Sequence, residues 1–142
     1  MRMQIPALLV AALVGSASVI AADDSSTAVG GRVFEMRTYF AAEGKLQDLH
    51  GRFRKHTNAM FKKHGMDVVG YWTPQAEPGK PAPETIVYIL AFPDREAAKA
   101  SWTAFAADPA WQKAKADSEK DGKLVAKIES VFLDPTDYSP TK

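Results

Sequence analysis

Between residues 33 and 133 the apolar positions switch between a two-residue period and a helical one, and each switch marks an element. VFEMRTYF, Val33 to Phe40, is a strand in which Val33, Glu35, Arg37 and Tyr39 share one face and Phe34, Met36, Thr38 and Phe40 the other. A turn at AAEGK follows. From Lys45 to about Lys63 the apolar residues Leu46, Leu49, Phe53, Met60 and Phe61, joined by His56 and His64, recur at helical spacing, and Gly65 supplies a stop. MDVVGYWT, Met66 to Thr73, reads as a second strand, and the proline-rich run from Pro74 to Pro83 as an exposed loop. TIVYILAF, Thr85 to Phe92, is apolar at both parities, as expected of a strand covered on both faces.

Beyond it, Asp94 is placed to cap a helix striped by Ala98, Trp102 and Phe105. Asp108-Pro109 restarts the chain as another helix, with Trp111 on its inner side and Gly122 at its end. LVAKIESVFL, Leu124 to Leu133, is the last strand. Strand, helix, strand, strand, helix pair, strand is satisfied by an α+β, ferredoxin-like subunit: a four-stranded antiparallel sheet with helices on one face. The helix stripes need an apolar partner, so the expectation is that Phe34, Met36 and Phe40 lie beneath them while Glu35, Arg37 and Tyr39 face the other way. A second copy would then close that other face, and two such sheets would leave neither exposed.

The N-terminal stretch has a different character. Arg2, an apolar run from Ile5 to Val14 and small residues before Asp23-Asp24 form the pattern of a secretory signal peptide over residues 1–22, cut after Ala21 or Ala22. The run is shorter than the roughly 20 residues of a bilayer span, so no stable membrane insertion is expected once it is removed. Residues 23–31 read as a flexible leader and 32–142 as one domain. Export, to the periplasm, is the expected destination. Of 142 residues, loss of the first 22 leaves 120, and with them goes only one charge, Arg2, from 18 basic against 17 acidic side chains. The resulting balance excludes the concentrated basic face of a nucleic-acid binder. With no cysteine in the chain, disulfides, thiol chemistry and cysteine metal sites are excluded.

VFEMRTY at Val33 to Tyr39, EGKL at Glu43 to Leu46, His56, His64-Gly65-Met66, VGYW at Val69 to Trp72, WTAFAADPAWQKAKADSE from Trp102 to Glu119 and LVAKIESVFLDPTDYSP together resemble the NIPSNAP family. The resemblance runs from Val33 to Pro140. It implies a ferredoxin-like subunit pairing into a homodimeric α/β barrel, and it implies no single reaction, since the wider superfamily holds cofactor-free monooxygenases, isomerases and haem enzymes.

Glu35 and Arg37, if a second copy covers them, are buried charges that require pairing, either as an ion pair fixing dimer register or as an anion-binding arginine oriented by a carboxylate. His56, on the stripe of the first helix and aimed at the sheet, is a core residue or a general base. His64 suits a helix C-terminal cap and His50 the solvated flank. Histidines at 50, 56 and 64 lack the spacing of helical metal ligands, and there is no phosphate loop or nucleophile elbow, so neither metal nor cofactor is expected. Two functions stay open. One is binding, with cofactor-independent conversion, of a small organic molecule, with His56, Glu35 and Arg37 as catalytic groups and Tyr39, Trp72 and Tyr88 lining the pocket. The other is a non-catalytic module whose charged sheet face joins subunits.

Overall fold

In the computed structural model, which describes residues 31–142, the opening alternation becomes strand β1, Val33–Ala41. The segments expected to be signal peptide and leader lie outside the described residues, Gly31 excepted. The first helical region spans the expected length but is not uniform. Helix α1, Leu46–Arg52, passes through a π-helical turn at Phe53–Thr57 into α2, Asn58–Lys63. His64 is the C-cap, and Gly65, at φ 71°, makes the left-handed turn that a Cβ would resist. Strands β2, Asp67–Trp72, and β3, Thr85–Phe92, flank the proline-rich loop. Helices α3, Arg95–Ala107, and α4, Pro109–Ser118, begin at Asp94 and Asp108, whose carboxylates accept from the Ala97 and Ala110 amides at 2.7 and 2.8 Å. Strand β4, Val125–Leu133, completes the order.

The sheet is antiparallel in the order β2-β3-β1-β4, so β1 and β3 are central and β2 and β4 are edges. This is the ferredoxin-like topology expected from the element order. The helices cover one face, and the core between the layers is built on Leu49, Phe53, Phe61, Tyr88, Leu90, Phe92, Phe105 and Leu124.

The parity of β1 is the reverse of the expectation. Glu35, Arg37 and Tyr39 lie beneath the helices, paired in register with Leu90, Tyr88 and Ile86 of β3, while Phe34, Met36, Thr38 and Phe40 line the outer face. The register decides it: Ile86, Tyr88, Leu90 and Phe92 are the more deeply buried row of β3, and Glu35, Arg37 and Tyr39 stand beside that row. The polar side chains are tolerated there because the helix layer supplies partners as well as apolar surface.

The outer face carries Phe34, Ile89, Val131 and Leu133, with Val69 and Trp72 from β2. Val69 sits at a register shift between Val68 and Gly70. The Trp72 indole lies over Gly70, where a Cβ would come within 2.7 Å of the ring. Residues Asp134 to Thr141 fold back over the Phe34 end of this face, and Arg32 Nε donates to the Lys142 carbonyl at 3.3 Å.

The end of the first helical unit is fastened to the start of α4 by one carboxylate. Asp108 receives Lys63 Nζ at 2.6 Å and faces His64 Nε2 at 2.8 Å while capping α4. The hydrogen bond from Lys63, then that from His64, holds its carboxyl well below the usual carboxylate range. A lowered folded value means the stabilisation is complete above the unfolded value, about 3.9, and disappears as pH falls through the folded one. Asp108→Asn, which keeps a capping oxygen but no charge, is therefore expected to be less stable than the parent at pH 7, and the gap should narrow as pH drops below about 4. Urea unfolding across that range measures it.

Candidate functional site

A carboxylate at position 35 of a central strand, 3 % exposed, must find its hydrogen bonds inside the protein. Trp102 of α3 donates its indole Nε1 to Glu35 Oε2 at 2.5 Å, and Ser130 of β4 donates its hydroxyl to Oε1 at 2.6 Å. Arg37, two residues along the same face, approaches Oε1 at 3.5 Å. Its guanidinium carbon lies over the Trp102 ring, 4.0 Å from the centroid, and 5.8 Å from that of Tyr39. Arg37 is thus held more by the indole face than by the carboxylate. Its Nε is buried with no hydrogen-bond partner among the described residues.

Tyr39 and Tyr88 meet edge to face at 5.3 Å on the next rung, and the Tyr88 hydroxyl is likewise buried and unpartnered. Burial first, then the neighbouring Tyr39 hydroxyl and Glu35, push the Tyr88 phenol well above its usual value, against the opposing pull of Arg37. At working pH it is a neutral donor.

Beside this cluster, α3, α4 and β4 border a cavity of about 500 Å³ that is open to solvent on one side. Its walls are Tyr39, Trp102, Phe105 and Trp111, with Ile128 on the strand side and Lys115, Lys123 and Lys127 at its rim. Arg52 also lines it. The Arg52 side chain is 3 % exposed, pairs through one terminal nitrogen with Glu119 at 3.0 Å, and lies 5.4 Å from the Trp111 ring. Its Nε, like that of Arg37, is buried without a partner among the described residues. Arg52 in the cavity wall, with the indoles of Trp102 and Trp111 and the rim lysines, forms an arrangement that can hold an anionic group on an aromatic or apolar body, while Arg37 stands behind Trp102, outside the lining.

Of the residues singled out from the sequence, Glu35, Arg37, Tyr39 and Tyr88 come together at this point. His56 does not. It is exposed on the outer side of the π-helical turn, in a shallow groove with Lys45, Asp48, Lys55 and Asp121. The extra residue in that turn shifts the helix phase, so Thr57, 3 % exposed, takes the inward position instead, its hydroxyl reaching the Arg52 carbonyl at 3.4 Å. Trp72 stands on the opposite side of the sheet. Arg52, Trp102 as a donor and Ser130 were not legible as site residues, because each acquires its role from a partner more than 60 positions away. Among the described residues no group of three His, Asp or Glu side chains is gathered as a metal site would need, and no helix is long and apolar enough to cross a membrane.

A four-stranded antiparallel α+β subunit of ferredoxin-like topology defines the class. The NIPSNAP family pattern matches residues 34–140, and the chain belongs to that family. An uncharacterised NIPSNAP domain protein from Burkholderia xenovorans is similar at 25 % identity, with 76 % of this chain and 98 % of that one covered and a TM-score of 0.63. A NIPSNAP family protein of unknown function from Agrobacterium tumefaciens shares 23 % identity over 80 % of this chain and 96 % of its own, with a TM-score of 0.68. A second Burkholderia xenovorans protein, NIPSNAP-like, shares 18 % identity over 78 % and 90 %, at 0.67. No curated protein matches the chain.

Deleting the indole donor tests the buried carboxylate. Trp102→Phe preserves a ring for Arg37 but leaves Glu35 short of one bond, so a loss of about 1–3 kcal/mol in unfolding free energy is expected by chemical denaturation. Glu35→Gln in the same background should recover part of it.

Proposed function

We propose that this NIPSNAP-family protein binds a small organic acid in the cavity between β4 and helices α3 and α4. The observation that carries the reading is Arg52: a guanidinium buried in the cavity wall, committed to Glu119 at one nitrogen and unpaired at Nε. Arg37, behind Trp102 and beside Glu35, supports that indole in the wall, and Tyr39 supplies a polar edge. The indoles of Trp102 and Trp111 suit a flat or apolar body attached to the acid.

Binding fits these residues better than turnover. Glu35 already accepts from Trp102 and Ser130, which fixes it as an orienting group, and the Tyr88 phenol holds its proton. His56 stands outside the cavity and would act only on a molecule reaching the outer groove. No cofactor enters this reading.

Two further parts of the reading concern assembly and destination. The outer sheet face, with Val69 at 42 %, Trp72 at 49 % and Val131 at 49 % exposed, supports closure by a second copy of the chain, and the contact would be apolar rather than charged. Export to the periplasm rests on residues 1–22 alone.

A thermal-shift series of aryl and alkyl carboxylates against their neutral amides tests the binding. At a concentration 100 times its dissociation constant, a bound acid should add about 2.7 kcal/mol of stability. Arg52→Gln should remove the shift, whereas an acid that stabilises this variant as well as the parent would refute the assignment. Assembly is checked by sedimentation: the parent should run as a dimer at micromolar concentration and Val131→Glu as a monomer, and a monomeric parent would overturn that part.

A further inference from the structure

We infer that the protein carries a second ligand site, a pocket of about 340 Å³ between the first helical region and edge strand β2 that takes an apolar monocarboxylate. Its floor is aromatic, made of Phe53 and Tyr71 meeting edge to face at 5.6 Å. Its polar side is a single line of helix residues, His50, Arg54 and Asn58. These are spaced four apart, and the π-helical turn is what keeps them in line. In an α-turn of 3.6 residues, a side chain four positions on overshoots slightly, whereas in the wider π-turn it falls short. The step from His50 to Arg54 is mainly α-helical and the step from Arg54 to Asn58 crosses Phe53–Thr57, so the two drifts offset each other.

The chemistry of the line is unspent. Arg54 forms no ion pair among the described residues, in contrast to Arg37 and Arg52, although it borders a largely apolar hollow. The Tyr71 hydroxyl donates to Asn58 Oδ1 at 2.9 Å, which orients that amide and leaves its NH₂ group to donate. Burial pushes the Tyr71 phenol up to about 12, so it remains a neutral donor fixed on Asn58. Ile86 of β3 adds to the apolar wall. An arginine, an imidazole and an amide above an aromatic floor match one carboxylate on a hydrocarbon or phenyl tail.

The pocket is distinct from the cavity at α3 and α4. Phe53, Tyr39 and Tyr88, with ring centroids 5.3 to 5.8 Å apart, form an aromatic partition between them. Neither site shares a charged residue with the other, so they fail independently.

Titration of 4-phenylbutyrate into the isotope-labelled protein, followed through the His50 and Tyr71 ring resonances, tests the inference. Saturable shifts at both residues are expected. Arg54→Gln, an exposed position, should weaken the affinity roughly tenfold. Arg52→Gln should leave the shifts at His50 and Tyr71 unchanged, and 4-phenylbutanamide should bind the parent no better than the acid binds Arg54→Gln. The inference is overturned by the absence of saturable shifts at these rings, by an Arg54→Gln affinity equal to the parent's, or by shifts lost in Arg52→Gln but kept in Arg54→Gln.

Discussion

A buried carboxylate organises this protein. Glu35 sits on a central strand under the helices, and its bonds to Trp102 and Ser130 connect β1 to α3 and to the edge strand β4. An uncompensated charge in that position would cost several kcal/mol, so the helix that supplies the indole has no freedom to slide. Trp102 then presents its ring to Arg37 and its edge to Phe61 and Phe105, and Phe105 stacks in turn on Trp111. One polar contact thereby positions the aromatic walls of the cavity. The cavity exists because α3 and α4 are held beside β4 by side chains that leave space between them.

The same arrangement separates the molecule's two faces by character. The charge of β1 is confined to its helix side, where it is paired, stacked or left with a spare donor, and the outer face is mostly apolar, with the Lys127–Glu129 pair at one end and the Arg32–Asp67 pair at the other. Binding chemistry and self-association therefore belong to different sides of the sheet. A substitution in one row of β1 can alter ligand recognition without touching the other.

Local features were legible in the sequence because their causes are local. The caps at Asp94 and Asp108, the stop at Gly65 and the eight residues of β3 follow from adjacent side chains and backbone freedom. The parity of β1 was not, for a physical reason. Both of its rows mix apolar and polar residues and both rows of β3 are apolar, so pattern alone favours burying Phe34 and Met36 rather than Glu35 and Arg37. What reverses the preference is the partner set on distant elements, an indole N–H at 102 and a hydroxyl at 130, which hydrophobic periodicity does not register. His56 was misplaced for a related reason. A regular helix through residues 45–63 points it inward, and the one-residue excess of the π-helical turn sends Thr57 in and His56 out. Arg52 precedes that turn and owes its role to Glu119, 67 positions away.

The central claim, that the charged row of β1 is buried against α3, is tested most directly by the exchange of the Trp102 indole proton with solvent, observed by nuclear magnetic resonance. Held on a carboxylate, that proton should exchange slowly and resonate downfield, and Glu35→Gln should move the signal and speed the exchange. An indole proton at 102 that exchanges like an exposed one and ignores Glu35→Gln would mean the row faces elsewhere, and the cavity built upon it would have no foundation.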